Sequence, residues 1–200
     1  MVKAAQLRHD LAQQHVRLIA VSKYADDDAV EALIQTGQRD FAESRPQQLR
    51  DRAVRWPQCQ WHMIGPVQKN KAKYIGRHAH TWHSLYDLTT ALAVARHVQG
   101  RVLPVLIQVN ISGEPQKQGL DPTQLVDFYT HACAIKPLHI VGLMGMAAHE
   151  GDASKAFQRL RQCRDSLPQT LSELSMGMSG DWPQAVEEGA TMVRLGRILF

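Results

Sequence analysis

Long apolar runs are missing from this chain. No stretch of its 200 residues approaches the roughly 20 consecutive apolar positions that span a bilayer. The opening stretch, MVKAAQLRHDLAQQHV, is charged and lacks the apolar centre of a secretion signal. Both absences predict a cytoplasmic protein with no membrane partner. Cysteine is scarce too: Cys59, Cys133 and Cys163 are odd in number and far apart. That argues against a disulfide framework or a zinc site and predicts reduced thiols. Asn110-Ile111-Ser112 matches a glycosylation acceptor, which means nothing without a signal peptide. Low-complexity segments and linkers rich in Pro, Gly or Ser are also absent, which predicts one domain over residues 1–200. No P-loop, HExxH or G-x-S-x-G motif occurs.

What is present is ordinary for a globular protein: 44% hydrophobic and 21% charged residues. The net charge of +4 suits an anionic ligand without requiring one. Along the chain, short apolar or β-branched runs alternate with amphipathic stretches. Strands are predicted at 18–23, 40–44, 60–65, 80–85, 102–110, 138–146, 170–178 and 191–199. Helices are predicted from the runs DAVEALIQTG, DLTTALAVARHVQG, PTQLVDFYTHACA, ASKAFQRLRQCRDSL and WPQAVEEG. Val30, Leu33 and Ile34 share a face of the first, and Leu88, Leu92 and Ala95 share one of the second. Asp121 is a cap before Pro122.

Eight such alternations predict an α/β fold, a single (β/α)8 TIM-type barrel. The N-terminal helix, residues 3–14, is expected to close the helical ring beside the last strand. A doubly wound sheet is the competing architecture, but it usually carries a Gly-rich fingerprint after the first strand, and none is present.

In such a barrel the C-terminal strand ends form the active face. Those ends place Lys23, Glu43-Ser44, Gly65, Ser84, Asn110, Met144, Ser175 to Ser179 and Arg194 to Arg197 on one rim. Lys23 closes the run LIAVSK. It reads either as a snorkelling side chain or as a partly desolvated amine able to attack a carbonyl. In LSMGMSGDWPQAVEEG, small residues precede a helix start, whose free N–H groups and serine suit an anion; an ordinary turn capped by Ser179 or Asp181 is the alternative. Arg194, between Val193 and Leu195, needs a partner, either a ligand or a barrel carboxylate such as Glu43. His78 and His80 are expected on one side of a strand and His83 on the other, which argues against a metal. Lys69, Lys71, Lys73 and Arg77 read as a solvated helix face before a nucleic-acid patch.

The segments LIAVSK, GQRDFAES, QWHMIGPVQKNK, PVLIQVNISGE, GLMGM, LSMGMSGD and EGATMVRLG run in order through the chain. Together they resemble the pyridoxal phosphate homeostasis protein family, which itself resembles the barrel domain of alanine racemase. The resemblance implies pyridoxal 5'-phosphate held as a covalent aldimine on Lys23. It also implies cofactor contacts from Ser44, Met144, Met178, Ser179, Arg194, Gly196 and Arg197. In that scheme Arg194 faces the pyridine nitrogen, Met144 packs near the ring, and Ser179, Gly196 and Arg197 hold the phosphate. The implied function is cofactor binding, storage or delivery in vitamin B6 homeostasis, without robust catalysis. The expected partners are the cofactor and recipient apo-enzymes, with no nucleic acid, and the expected state is a monomer. An amino-acid racemase is the alternative. Such racemases need a second domain and a partner's tyrosine, and neither is expected here after the last strand.

The chain departs from the family at several places. Ala42-Glu43-Ser44-Arg45 stands for Gly-Glu-Asn-Tyr, and Tyr24-Ala25 stands for Thr-Lys after the lysine. Tyr86 replaces an aspartate, and Arg197 replaces a Thr or Ser. Arg197 is expected to fold back onto the phosphate in place of the missing hydroxyl.

Overall fold

Strands and helices alternate along the whole chain in this computed structural model, which describes residues 2–114, 118–148 and 151–200. The order is α1 (Val2–Gln13), β1 (Arg17–Val21), α2 (Asp27–Gln35), β2 (Asp40–Glu43), α3 (Pro46–Arg55) and β3 (Gln60–Met63). It continues with α4 (Ala72–His78), β4 (Thr81–Leu85), α5 (Leu88–Ala95), β5 (Leu103–Gln108), α6 (Leu125–Cys133) and β6 (Leu138–Met144). The last elements are α7 (Ala153–Asp165), β7 (Glu173–Ser175), α8 (Trp182–Glu187) and β8 (Met192–Leu195). The strands pair in parallel in sequence order, and β8 returns to β1 to close the barrel. The (β/α)8 expectation is met.

Alternation along the strands divides the buried residues into two sets. Leu18, Ala20, Phe41, Trp61, Val105, Ile107, Leu143 and Leu195 point outward and belong to the large core beneath the helices. Ile19, Ala42, Leu106, Met144 and Met192 form a separate cluster inside the barrel. The outer core is anchored by aromatics: Trp61 stacks on Phe41 at 5.2 Å and on Trp56 at 6.2 Å, and its indole N–H donates to the Trp56 carbonyl. Burying such a side chain stabilises the fold by about 1.5–3 kcal/mol.

Capping fixes where the helices begin. Asp26 accepts from the Ala29 N–H at α2, Asp87 from Thr89 and Thr90 at α5, and Asp152 from Ser154 and Lys155 at α7. Asp121 caps a short 3-10 turn, Pro122–Gln124, that leads into α6. No described helix is long and apolar enough to cross a membrane. The three cysteines are free thiols.

Three expectations need correcting. The strands are shorter than the apolar runs, so β1 ends at Val21 and Lys23 lies in the turn beyond it. The run 170–178 contains only a three-residue strand, because the chain turns away after Ser175 and Gly177 takes a φ of +88°, suited to glycine. The α5 face is set by Thr90, Ala91, Val94 and Ala95, while Leu92 is exposed. Close approach to α4 explains this: a Cβ on Gly76 would lie 2.7 Å from the Val94 carbonyl oxygen, so small residues face that contact. As expected, α1 closes the helical ring, packing on β1, the strand that pairs with β8, and Arg8 reaches the Thr36 carbonyl beyond α2 at 2.7 Å.

Candidate functional site

The C-terminal strand ends open into a cavity of about 1290 Å3. Lys23, Ser44, Met144, Met178, Ser179, Arg194, Gly196 and Arg197 all line it. They come from five different strand ends or the loops after them, so only barrel closure brings them together. Val21, Tyr24, Ile64, Met146, Asp181 and Phe200 also contribute, and the sequence reading assigned none of these to the site.

Lys23 is half-buried in the turn after β1, with its Nζ 4.9 Å from the centroid of the Tyr24 ring. A buried cluster holds the turn. Arg52, from α3, donates to the Ser22 carbonyl at 2.8 Å and to the Ala25 carbonyl at 2.6 Å. The same guanidinium bonds Glu43 at 2.5 Å, and the Ser22 hydroxyl donates to that carboxylate at 2.6 Å. Glu43 is therefore not on the rim. Because Ala42 points into the barrel, the next residue on β2 points out toward α3.

Across the cavity, the loop after β7 meets the turn after β8. The Ser179 hydroxyl lies 3.4 Å from the Gly196 N–H, while Asp181 accepts from the Met178 N–H at 2.5 Å. Among the described residues, the backbone N–H groups of Ser179, Gly180 and Arg197 have no protein acceptor. These loop amides, not the start of the six-residue α8, form the donor set suited to an anion. Arg197 is exposed at the edge of the cavity.

Arg194 is buried and faces the cavity floor. Its guanidinium donates to Ser175 Oγ at 2.7 Å and to the Gly145 carbonyl at 3.0 Å, so Glu43 is not its partner. Burial pulls its pKa down to about 10, against an opposing pull from Asp181. Ser175 Oγ in turn lies 2.9 Å from His83 Nδ1. His83 Nε2 is 2.9 Å from His62 Nδ1, and His62 Nε2 is 3.1 Å from the Asp40 carboxylate.

His78, His80 and His83 are therefore not arranged as expected: His78 ends α4, His80 precedes β4, and of the three only His83 lies on a strand. Gly65, Ser84 and Asn110 do not line the cavity; Ser84 Oγ donates to the Gly65 carbonyl, and the Asn110 amide to the Glu114 carbonyl. Lys71 and Lys73, with Arg50, surround the Tyr74 ring away from the cavity.

Burial holds the His83 pKa well below its ordinary value of 6.5, and nearby His62 and Arg194 charges act in the same direction. The neutral imidazole is thus the native form. Its contribution to stability is complete above the unfolded value of 6.5 and is lost as pH falls from there toward the folded value. Thermal unfolding should therefore move to lower temperature as pH drops below 6.5. His83→Gln should flatten that slope; an unchanged slope would remove His83 as its cause.

Comparison with known proteins follows the same outline. The family described as "Alanine racemase, N-terminal domain" matches residues 3–200. The pyridoxal phosphate homeostasis protein of Deinococcus radiodurans is 38% identical over 202 residues, covering 100% of this chain and 95% of its own. That of Vibrio cholerae is 36% identical over 213 residues, covering 100% and 90%. PipY of Synechococcus elongatus PCC7942, solved with PLP bound, has a TM-score of 0.86 at 33% identity, over 98% of this chain and 99% of that one.

Proposed function

Because the chain belongs to the alanine racemase N-terminal domain family, and within it to the pyridoxal phosphate homeostasis proteins, we propose that it binds pyridoxal 5'-phosphate in the cavity above β1 and β8. Its role is then to hold and hand on that cofactor, not to turn over a substrate. One observation carries this reading. A lysine amine, a buried guanidinium and a set of unengaged loop N–H groups share a single cavity.

The donor set fits the group. The N–H groups of Ser179, Gly180 and Arg197 suit a phosphate, with the Gly196 N–H and the Ser179 hydroxyl it meets beside them, and a cavity this size has room for a phosphorylated pyridine ring. Met144 and Met178 offer apolar contact for the ring, and Ser44 adds a hydroxyl on the opposite wall. When bound, pyridoxal phosphate supplies an aldehyde that an amine can capture reversibly with loss of water. Lys23 is the amine within reach of the cavity, and we assign it as the attachment point. Arg194 is assigned to the pyridine nitrogen. A guanidinium cannot accept a proton, and its charge disfavours protonation of the ring, which weakens carbanion chemistry there. Arg197 is assigned to the phosphate from the cavity edge. Residues 1–200 act as one cytoplasmic unit, a monomer, with apo-enzymes as recipients.

The test pairs binding with turnover. Dialysis against the cofactor should leave the protein yellow, and added L-alanine should yield no D-alanine above a buffer control. Sustained racemisation that disappears in Lys23→Ala would replace the carrier reading with the racemase one.

A further inference from the structure

The apolar residues inside the barrel include Ile19, Ala42, Leu106, Met144 and Met192. Polar side chains placed there are costly unless fully hydrogen-bonded. Five of them lie end to end: Arg194 to Ser175 at 2.7 Å, Ser175 to His83 at 2.9 Å, His83 to His62 at 2.9 Å, and His62 to Asp40 at 3.1 Å. They are contributed by β8, β7, β4, β3 and β2.

The two ends fix the polarity of the whole chain. A guanidinium can only donate, and a carboxylate can only accept. A neutral imidazole donates from one nitrogen and accepts at the other. With both imidazoles neutral, one assignment satisfies every contact: Arg194 N–H to Ser175 Oγ, Ser175 O–H to His83 Nδ1, His83 Nε2–H to His62 Nδ1, and His62 Nε2–H to Asp40. Both histidines are then Nε2–H tautomers, and every donor points the same way.

The ends also lie on opposite faces of the barrel. Arg194 is on the cavity, whereas Asp40 opens β2 at the base, where its side chain is 21% exposed. No carboxylate forms an ion pair with Arg194 among the described residues. Asp181 acts on it only at longer range. The other charges acting on His83 are His62, Arg17 and His80; those acting on His80 include His62, Asp40, Arg101 and Arg17.

We propose that Asp40, His62, His83 and Ser175 are positioning residues that hold the Arg194 guanidinium in place and carry the Asp40 counter-charge to it through the barrel. The proposal rests on the reading that Arg194 faces the bound cofactor. Its function is to keep a buried cation both oriented and partly compensated, so that the charge at the ring is set from the far side of the fold.

The test has two arms. In the protein without cofactor, nitrogen NMR of labelled histidines should show His62 and His83 both carrying the proton on Nε2. With pyridoxal phosphate added, Ser175→Ala should weaken binding about tenfold, the cost of losing a hydrogen bond to a charged group, and Ser175→Thr should restore it. Asp40→Asn keeps an acceptor but removes the charge. It should leave the cation nearer the cofactor less compensated and lower the pH midpoint of the visible band by about half a unit. Most of that shift should vanish when Asp40→Asn is made in the Ser175→Ala background. An Nδ1–H tautomer at either histidine would overturn the proposal, as would an Asp40→Asn shift of the same size without the Ser175 hydroxyl. A wild-type protein that binds no cofactor would sink the functional reading alone, and the NMR arm would still decide the relay.

Discussion

Arg52→Ala should lower the free energy of unfolding by about 3–5 kcal/mol, the usual cost of stranding one member of a buried ion pair. Arg52 and Glu43 are nearly inaccessible, with side-chain exposures of 7% and 0%. Glu43 has little else to fall back on: Ser22 bonds the same oxygen that Arg52 does, and the other oxygen is buried without a hydrogen-bond partner among the described residues. Burial already raises the Glu43 pKa, opposed by Ser22 and Arg52. Without Arg52 the carboxyl can take up a proton, which places the expected loss at the lower end of the range. Adding Glu43→Gln should recover part of it, because the two side chains act as a unit. The same guanidinium holds the carbonyls on either side of Lys23, so cofactor affinity should fall along with stability. Denaturant melts of the single and double variants check the first statement, and titration of the visible band checks the second. A loss below about 1 kcal/mol would show the pair to be solvated, as surface ion pairs are.

Lys23→Ala should have the opposite profile. It should abolish the visible band and all reducible attachment of the cofactor while scarcely affecting the fold. Lys23 is half-buried in a turn, and its amine lies over the exposed Tyr24 ring, a cation–π interaction worth about 0.5–1 kcal/mol. The loop amides and Arg194 remain, so weakened, non-covalent binding should persist in dialysis. Retention of the band in the variant would mean that another amine carries the cofactor.

The contrast between these residues shows where the sequence was readable. Lys23 could be placed because a strand of apolar residues ends just before it, and a closed barrel brings every C-terminal strand end to one face. All eight assigned cavity residues lie at such strand ends or within the family-like motifs, so strand counting and motif resemblance suffice to name them. Arg52 could not be placed. Its helix, α3, is PQQLRDRAVR, and only Pro46, Leu49 and Arg52 are buried on it, so the apolar periodicity that marks a helix is almost absent. The same gap hid the partner of Glu43. A glutamate at a strand end looks like a rim residue until the pleat is known, and Ala42 fixes that pleat only once the barrel is closed.

The relay was hidden for a related reason. His62 and His83 lie 21 residues apart, and their contact depends on the β3–β4 register, which pairs His62 with Thr81. Local spacing instead set His83 against His78 and His80, on the other side of one strand, and gave no sign of His62. In α5, the apolar period favoured Leu92, but the narrow space beside Gly76 selected alanines. In each case, the missing information was the distance between elements.

The central claim is that one lysine, at one strand end, holds an aldehyde cofactor. It is tested most directly by saturating the protein with pyridoxal phosphate, reducing with borohydride and mapping the labelled peptides by mass spectrometry. The account predicts a single pyridoxyl label on the peptide containing Lys23. A label confined to Lys69, Lys71 or Lys73, or a folded protein that takes none, would contradict it.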